Sequence, residues 1–202
     1  STNSQSTVST DSNIKSGSSP ISGMRSAESI GIVAFKHDKL VGELDAIETI
    51  CFHILKNNIN SFIITVPSPK DNTFKIDLLV TPKGTCKTKV DIVNGSPYVK
   101  INGSFNAKIY SMDEDKNYLD CDFLDSLSNT CNIYLENVLL NYLYKTSLEF
   151  KSDISGIGKY ALSNFSTTSE FKDFNWSNNY MNSTFNVNIN TTIDSGFLLN
   201  KT

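Results

Sequence analysis

The chain has 202 residues, enough for one domain with a sizeable core or for a domain with tails, and its hydrophobic fraction is a modest 39%. A net charge of −3 offers no basic face, so nucleic acid is not an expected partner. Apolar runs such as IGIVAF fall far short of the roughly 20 residues that span a bilayer, and no basic-then-apolar leader is present, which puts any targeting segment upstream.

Residues 1 to about 28, STNSQSTVSTDSNIKSGSSPISGMRSAE, are polar and nearly free of aromatics. They cannot bury enough surface to offset chain entropy, so a flexible linker or loosely held arm is expected there. Residues 29–202 then form the folded part. Ile30 to Lys36 and Lys39 to Leu44 read as a hairpin closed at His37-Asp38. Asp45 and Glu48 make a D-x-x-E cap for a helix whose Ile47, Ile50, Ile54 and Leu55 share one face, ending near Asn57-Asn58.

Four strand patterns follow: SFIITV (61–66), TFKIDLLVT (73–81), CKTKVDIV (86–93) and YVKINGSFNAKIY (98–110). Phe74, Ile76, Leu78 and Val80 alternate in the second, and Val99, Ile101, Gly103, Phe105, Ala107 and Ile109 in the fourth. From about Asn117 to Phe150 the period changes to three or four, through Leu119, Phe123, Leu127, Cys131, Leu135, Val138, Tyr142 and Leu143. That spacing predicts one long amphipathic helix. A looser stretch, 151–179, holds DISGIG and the single tryptophan, and STFNVNINTTI closes the chain as a strand. The order β-β-α-β-β-β-β-α-β predicts an α+β fold: a mainly antiparallel sheet with helices, one long, packed on one face.

The search for chemistry finds no catalytic constellation. In the acidic run DEDKNYLDCDFLD, Asp113, Asp115 and Asn117 fit positions one, three and five of a calcium loop. Tyr118 stands where glycine is required and Leu124 where a bidentate Glu is required, so a charged helix start explains the run better. GIG at 156–158 lacks the lysine of a phosphate loop and opens no βαβ unit. His37 and His53 have no H-E-x-x-H context. Cys51, Cys86, Cys121 and Cys131 match no zinc spacing and read as buried or half-buried free thiols. No catalytic residue, cofactor or metal is expected, and no enzyme.

Two blocks carry a resemblance. IGIVAFKHDKLVGEL followed by DAIET supplies Phe35, Lys36, Lys39, Leu40, Val41, Gly42, Glu48 and Thr49 in order. Later, a long helix leads to Asp153-Ile154 with Gly156 and Gly158, then Trp176, then an alternating strand running to Gly196. Both blocks resemble the C-terminal domain of the Ger(x)C family, the C subunits of spore germinant receptors, over about residues 29–198. Ser155 departs from that pattern, where the family often has an aromatic, and the segment after it is less basic.

The resemblance implies a non-catalytic lipoprotein on the outer face of the spore inner membrane. Its implied partners are the membrane-embedded receptor subunits A and B, in nutrient-triggered germination. The lipid-bearing cysteine would lie upstream, and none of the four cysteines here would be it. The family-motif positions Phe35, Lys39, Leu40, Val41, Gly42, Glu48, Asp153, Gly156, Gly158 and Trp176 would be structural. The alternative is a domain of the same complex that itself holds a small ligand, a germinant or an ion.

Overall fold

The computed structural model describes residues 33–36, 39–112 and 121–194. The expected arm at 1–28, the turn at His37-Asp38 and most of the acidic run, 113–120, lie outside the described residues. A hairpin of β1 (Val33–Lys36) and β2 (Lys39–Glu43) forms a two-stranded sheet of its own. It leads into α1 (Ala46–Leu55), which opens with the expected cap: Asp45 Oδ1 accepts from Glu48 N at 2.8 Å, and Glu48 Oε2 accepts from Asp45 N at 2.9 Å. The helix stops where Asn57 turns left-handed, at φ 53°.

The main sheet contains β3 (Phe62–Pro67), β4 (Lys75–Pro82), β5 (Lys87–Val93), β6 (Ser96–Met112) and β7 (Thr184–Ile193). β3 pairs with β4, and the first half of β6 pairs with β5 and its second half with β4, all antiparallel. β4 and β5 therefore act as one interrupted strand running against the long β6. Between the pairs Pro82↔Phe105 and Lys87↔Asn102, residues 83–86 face only Gly103 and Ser104, so the strand bulges there. β7 takes the opposite edge of β6, from Tyr98↔Thr184 to Ala107↔Ile193, and runs parallel to it. The mainly antiparallel sheet thus includes one parallel pair. The long crossover between β6 and β7 permits that direction, which no short hairpin could.

Burial follows the alternation. Phe62, Ile64 and Val66, Ile76, Leu78 and Val80, Val99, Ile101, Phe105, Ala107 and Ile109, and Phe185, Val187 and Ile189 are all buried on the helix-covered face. α2 (Cys121–Tyr144) sets Leu127, Cys131, Leu135, Leu139, Tyr142 and Leu143 against them, each at most 1% exposed. Each such leucine contributes about 1.5–3 kcal/mol of burial.

Several expectations change. Phe74 precedes β4 and is exposed, and Ile47 faces outward although its spacing puts it on one face with Ile50, Ile54 and Leu55. Cys121 is exposed, whereas Cys51, Cys86 and Cys131 are buried; all four are free thiols. α2 does not run unbroken to Phe150 but widens into a π-helical turn at Lys145–Glu149. The stretch 151–179 is not loose: it carries 3-10 turns at Ile157–Tyr160 and Leu162–Asn164, then α3 (Thr168–Phe174) and α4 (Trp176–Asn179).

Candidate functional site

Two of the first block's motif positions, Gly42 and Glu48, and all of the second block's can be followed to one region, the end of α2. The backbone of Phe35 pairs with Leu40 and that of Lys36 with Lys39, while Val41 is the extra residue of a bulge before Ala34↔Gly42. Gly42 then meets the π turn. A Cβ placed on it would lie 2.1 Å from Cε1 of the buried Phe150, so only glycine lets the hairpin approach so closely. Glu48, besides capping α1, accepts from Lys145 Nζ at 2.7 Å through both carboxylate oxygens. Lys145 also donates to the Glu43 carbonyl at 3.3 Å and sits 5.4 Å from the Phe150 ring centre. One lysine thus ties the strand end, the helix start and the π turn together.

The second block closes the other side. The Asp153 carboxylate accepts from Ile157 N at 2.8 Å, Gly158 N at 2.7 Å and Trp176 Nε1 at 2.9 Å. Gly156 makes this loop possible by taking φ 72°. Gly158 lets the indole lie flat on the main chain, since a Cβ there would stand 2.6 Å from Trp176 Nε1. Asp153, Gly156, Gly158 and Trp176 are therefore parts of one clasp, which the sequence displays only as scattered letters.

The partners of these residues were not singled out from the sequence. A π turn lodges an extra residue and weakens the regular helical ladder. Thr146 Oγ1 donates back to the Leu143 carbonyl at 2.9 Å and Ser147 Oγ to the Tyr144 carbonyl at 3.2 Å, and both hydroxyl residues are buried. Thr146 Oγ1 also bonds the Tyr180 hydroxyl at 2.9 Å. The hydroxyls of Tyr142 and Ser155 bond at 2.7 Å, so the residue that departs from the family pattern is buried and paired. Burial pushes both tyrosine hydroxyls above their ordinary range. The available signal was the run of small polar residues, KTS, interrupting an apolar helical face.

Most polar groups of this region bond one another and its apolar groups pack, while the buried hydroxyls of Thr49 and Ser183 have no hydrogen-bond partner among the described residues. Among the described residues, no group of three or more His, Cys, Asp or Glu side chains is disposed to hold a metal. His53 lies in the last turn of α1 with its ring edge-on to Phe52 at 5.4 Å, and its Nδ1 has no hydrogen-bond partner among the described residues. A cavity of about 70 Å³ sits under the bulge, beside Asn57, Gly84, Cys86 and Gly103. There the Asn57 side chain is spent on the Cys86 main chain, accepting from its N–H at 2.6 Å and donating to its carbonyl at 3.3 Å.

Comparison with known proteins agrees with this architecture. One solved structure, the crystal structure of the GerBC protein, superposes with a TM-score of 0.65 at 24% sequence identity, over 81% of this chain. The chain spans 50% of the length of that protein, and at this identity the likeness shows the fold. No curated protein sequence matches significantly. The family described as spore germination B3/GerAC like, C-terminal, matches residues 30–196, which takes in every described element. The chain belongs to that family.

Proposed function

We propose that this chain is the C-terminal domain of the C subunit of a spore germinant receptor, and that its work is assembly. It associates with the membrane-embedded A and B subunits at the outer face of the spore inner membrane. A lipid anchor upstream holds the protein there. The observation that carries the reading is the family match over 30–196. The saturated clasp around Asp153 supports a non-catalytic role for the motif positions: they fasten the hairpin, the long helix and the following loop into one unit. Among the described residues no helix is long and apolar enough to cross a membrane, which suits a domain that reaches the membrane through an anchor or a partner. The alternative, a domain that holds a germinant or an ion itself, calls for convergent polar groups in a pocket, and the Asp153 carboxylate and the Asn57 side chain are spent on their own main-chain partners.

The test is a pull-down of the tagged full-length protein from detergent-solubilised spore inner membranes. Recovery of polytopic receptor subunits is the expected result. A protein that is absent from that fraction, or present there without such subunits, would overturn the reading.

A further inference from the structure

The π turn that ends α2 closes on a wide bond, Phe150 N donating to the Lys145 carbonyl at 3.1 Å. Those same two residues grip the hairpin. Lys145 Nζ holds the Glu43 carbonyl and the Glu48 carboxylate, and the buried Phe150 ring fills the space above Gly42. In a regular α-helix, residues five apart point about 140° away from each other. The extra residue of a π turn brings the fifth back beside the first. Lys145 Nζ accordingly sits 5.4 Å from the Phe150 ring centre. The joint grip on Gly42 and Glu43 therefore belongs to the π register.

The same turn also reaches the second motif block. Thr146 Oγ1 bonds the Tyr180 hydroxyl at 2.9 Å. The Tyr180 ring lies 5.9 Å from that of Trp176, whose Nε1 donates to Asp153. An α register is open to these residues as well. Lys145–Glu149 contains neither glycine nor proline. Closing the turn requires only that Phe150 N leave the Lys145 carbonyl for that of Thr146, four residues back. The Thr146 carbonyl now accepts from Ser152 N at 3.0 Å, so the change would displace the residue next to Asp153.

We propose that this turn is a two-position switch coupling the hairpin to the Trp176 clasp. With the hairpin docked the turn keeps the π register; with the hairpin released it closes to the α register and draws Thr146 away from Tyr180. A ligand or docking element shifts such an equilibrium only through contacts that differ between the two states. Here those contacts are the ones Lys145 and Phe150 make with Glu43 and Gly42. The hairpin is a two-stranded sheet of its own, so it can leave without breaking a ladder of the main sheet. Linkage makes the coupling reciprocal: weakening the Thr146–Tyr180 bond should loosen the hairpin.

Through-hydrogen-bond NMR couplings in the isotope-labelled chain read the register directly. In the unaltered chain the Phe150 amide should couple to the Lys145 carbonyl. Gly42→Ala drives a Cβ into the Phe150 ring and should release the hairpin, which alone is marginally stable. The 39–43 amides should then exchange at least tenfold faster, the coupling should move to the Thr146 carbonyl, and the Trp176 indole resonance should shift. A released hairpin with the coupling still at Lys145 would overturn the proposal. So would a hairpin that stays docked in both Gly42→Ala and Lys145→Met. Tyr180→Phe works from the other end, keeps the ring in the core, and decides the matter even where the glycine variant does not fold. It should speed exchange at 39–43 at least threefold more than exchange in β4 and β6. A uniform change across the chain, or none at the hairpin, would overturn the coupling.

Discussion

The two long margins of the sheet show opposite solutions to one problem. At β7 an entire face of α2 has been given to main-chain bonding, with Ser128, Asn132 and Glu136 spaced four apart so that each meets the strand one turn further on. The helix serves there as a surrogate strand. At β3, the terminal strand on the other side, the main chain bonds only β4 among the described residues, and uncharged isoleucines of β3 and α1 border an apolar groove. The clasp at Asp153 belongs with β7: every donor has an acceptor and each close approach has its glycine. Closed regions hold the fold together.

Breaking the closed side should cost most. Asp153→Ala strands two main-chain N–H groups and the Trp176 indole, and a loss of about 3 kcal/mol is expected. Urea unfolding at constant m-value measures it, with the single tryptophan as probe. Its emission should shift to the red in the folded variant. Gly158→Ala and Gly42→Ala force a Cβ to within 2.6 Å of the Trp176 indole and 2.1 Å of the Phe150 ring. Each should destabilise by about 2 kcal/mol through overpacking, and the same unfolding curves decide it.

Alkaline pH acts on buried acids. The Cys86 thiol is pushed by burial from 9.0 to about 11, and burial holds the Tyr142 and Tyr180 hydroxyls above their ordinary 10.0. These groups ionise earlier in the unfolded chain, so their contribution is complete below about pH 9 and is lost as pH rises through the folded values. Cys86 alone accounts for about 1 kcal/mol of loss per pH unit in that window. Stability that stayed flat from pH 8 to 10.5 would contradict this.

Removing the seal sharpens the contrast between margins. Asn132→Ala and Glu136→Ala each orphan one strand N–H, at about 1 kcal/mol apiece. The double variant should also self-associate in light scattering, because it opens an edge. Ile63→Lys, on β3, should change the stability of this chain by no more than about 0.5 kcal/mol. A large loss there would mean that β3 is not free.

Much of this fold was legible because its elements obey short-range rules. The capping box of Asp45 and Glu48, the alternation along β4 and β6, and the three-four spacing of Leu127, Cys131 and Leu135 all express local geometry, which sequence states directly. The clasp was legible only as positions. Asp153 and Trp176 stand out as letters, yet nothing in their spacing says that one accepts from the other at 2.9 Å. The π turn was hidden because its stabilising hydroxyls, Thr146 and Ser147, look like any polar interruption of a helix.

By itself, then, the sequence determined the strands, the two main helices, their order and the buried face of the sheet, since periodicity and capping are properties of neighbours along the chain. Tertiary structure alone decided that β7 runs parallel to β6, that Ile47 faces a groove rather than the core, and that α2 seals the β7 margin. Those outcomes depend on which distant segments meet, and a long crossover leaves strand direction and edge cover to packing rather than to local preference.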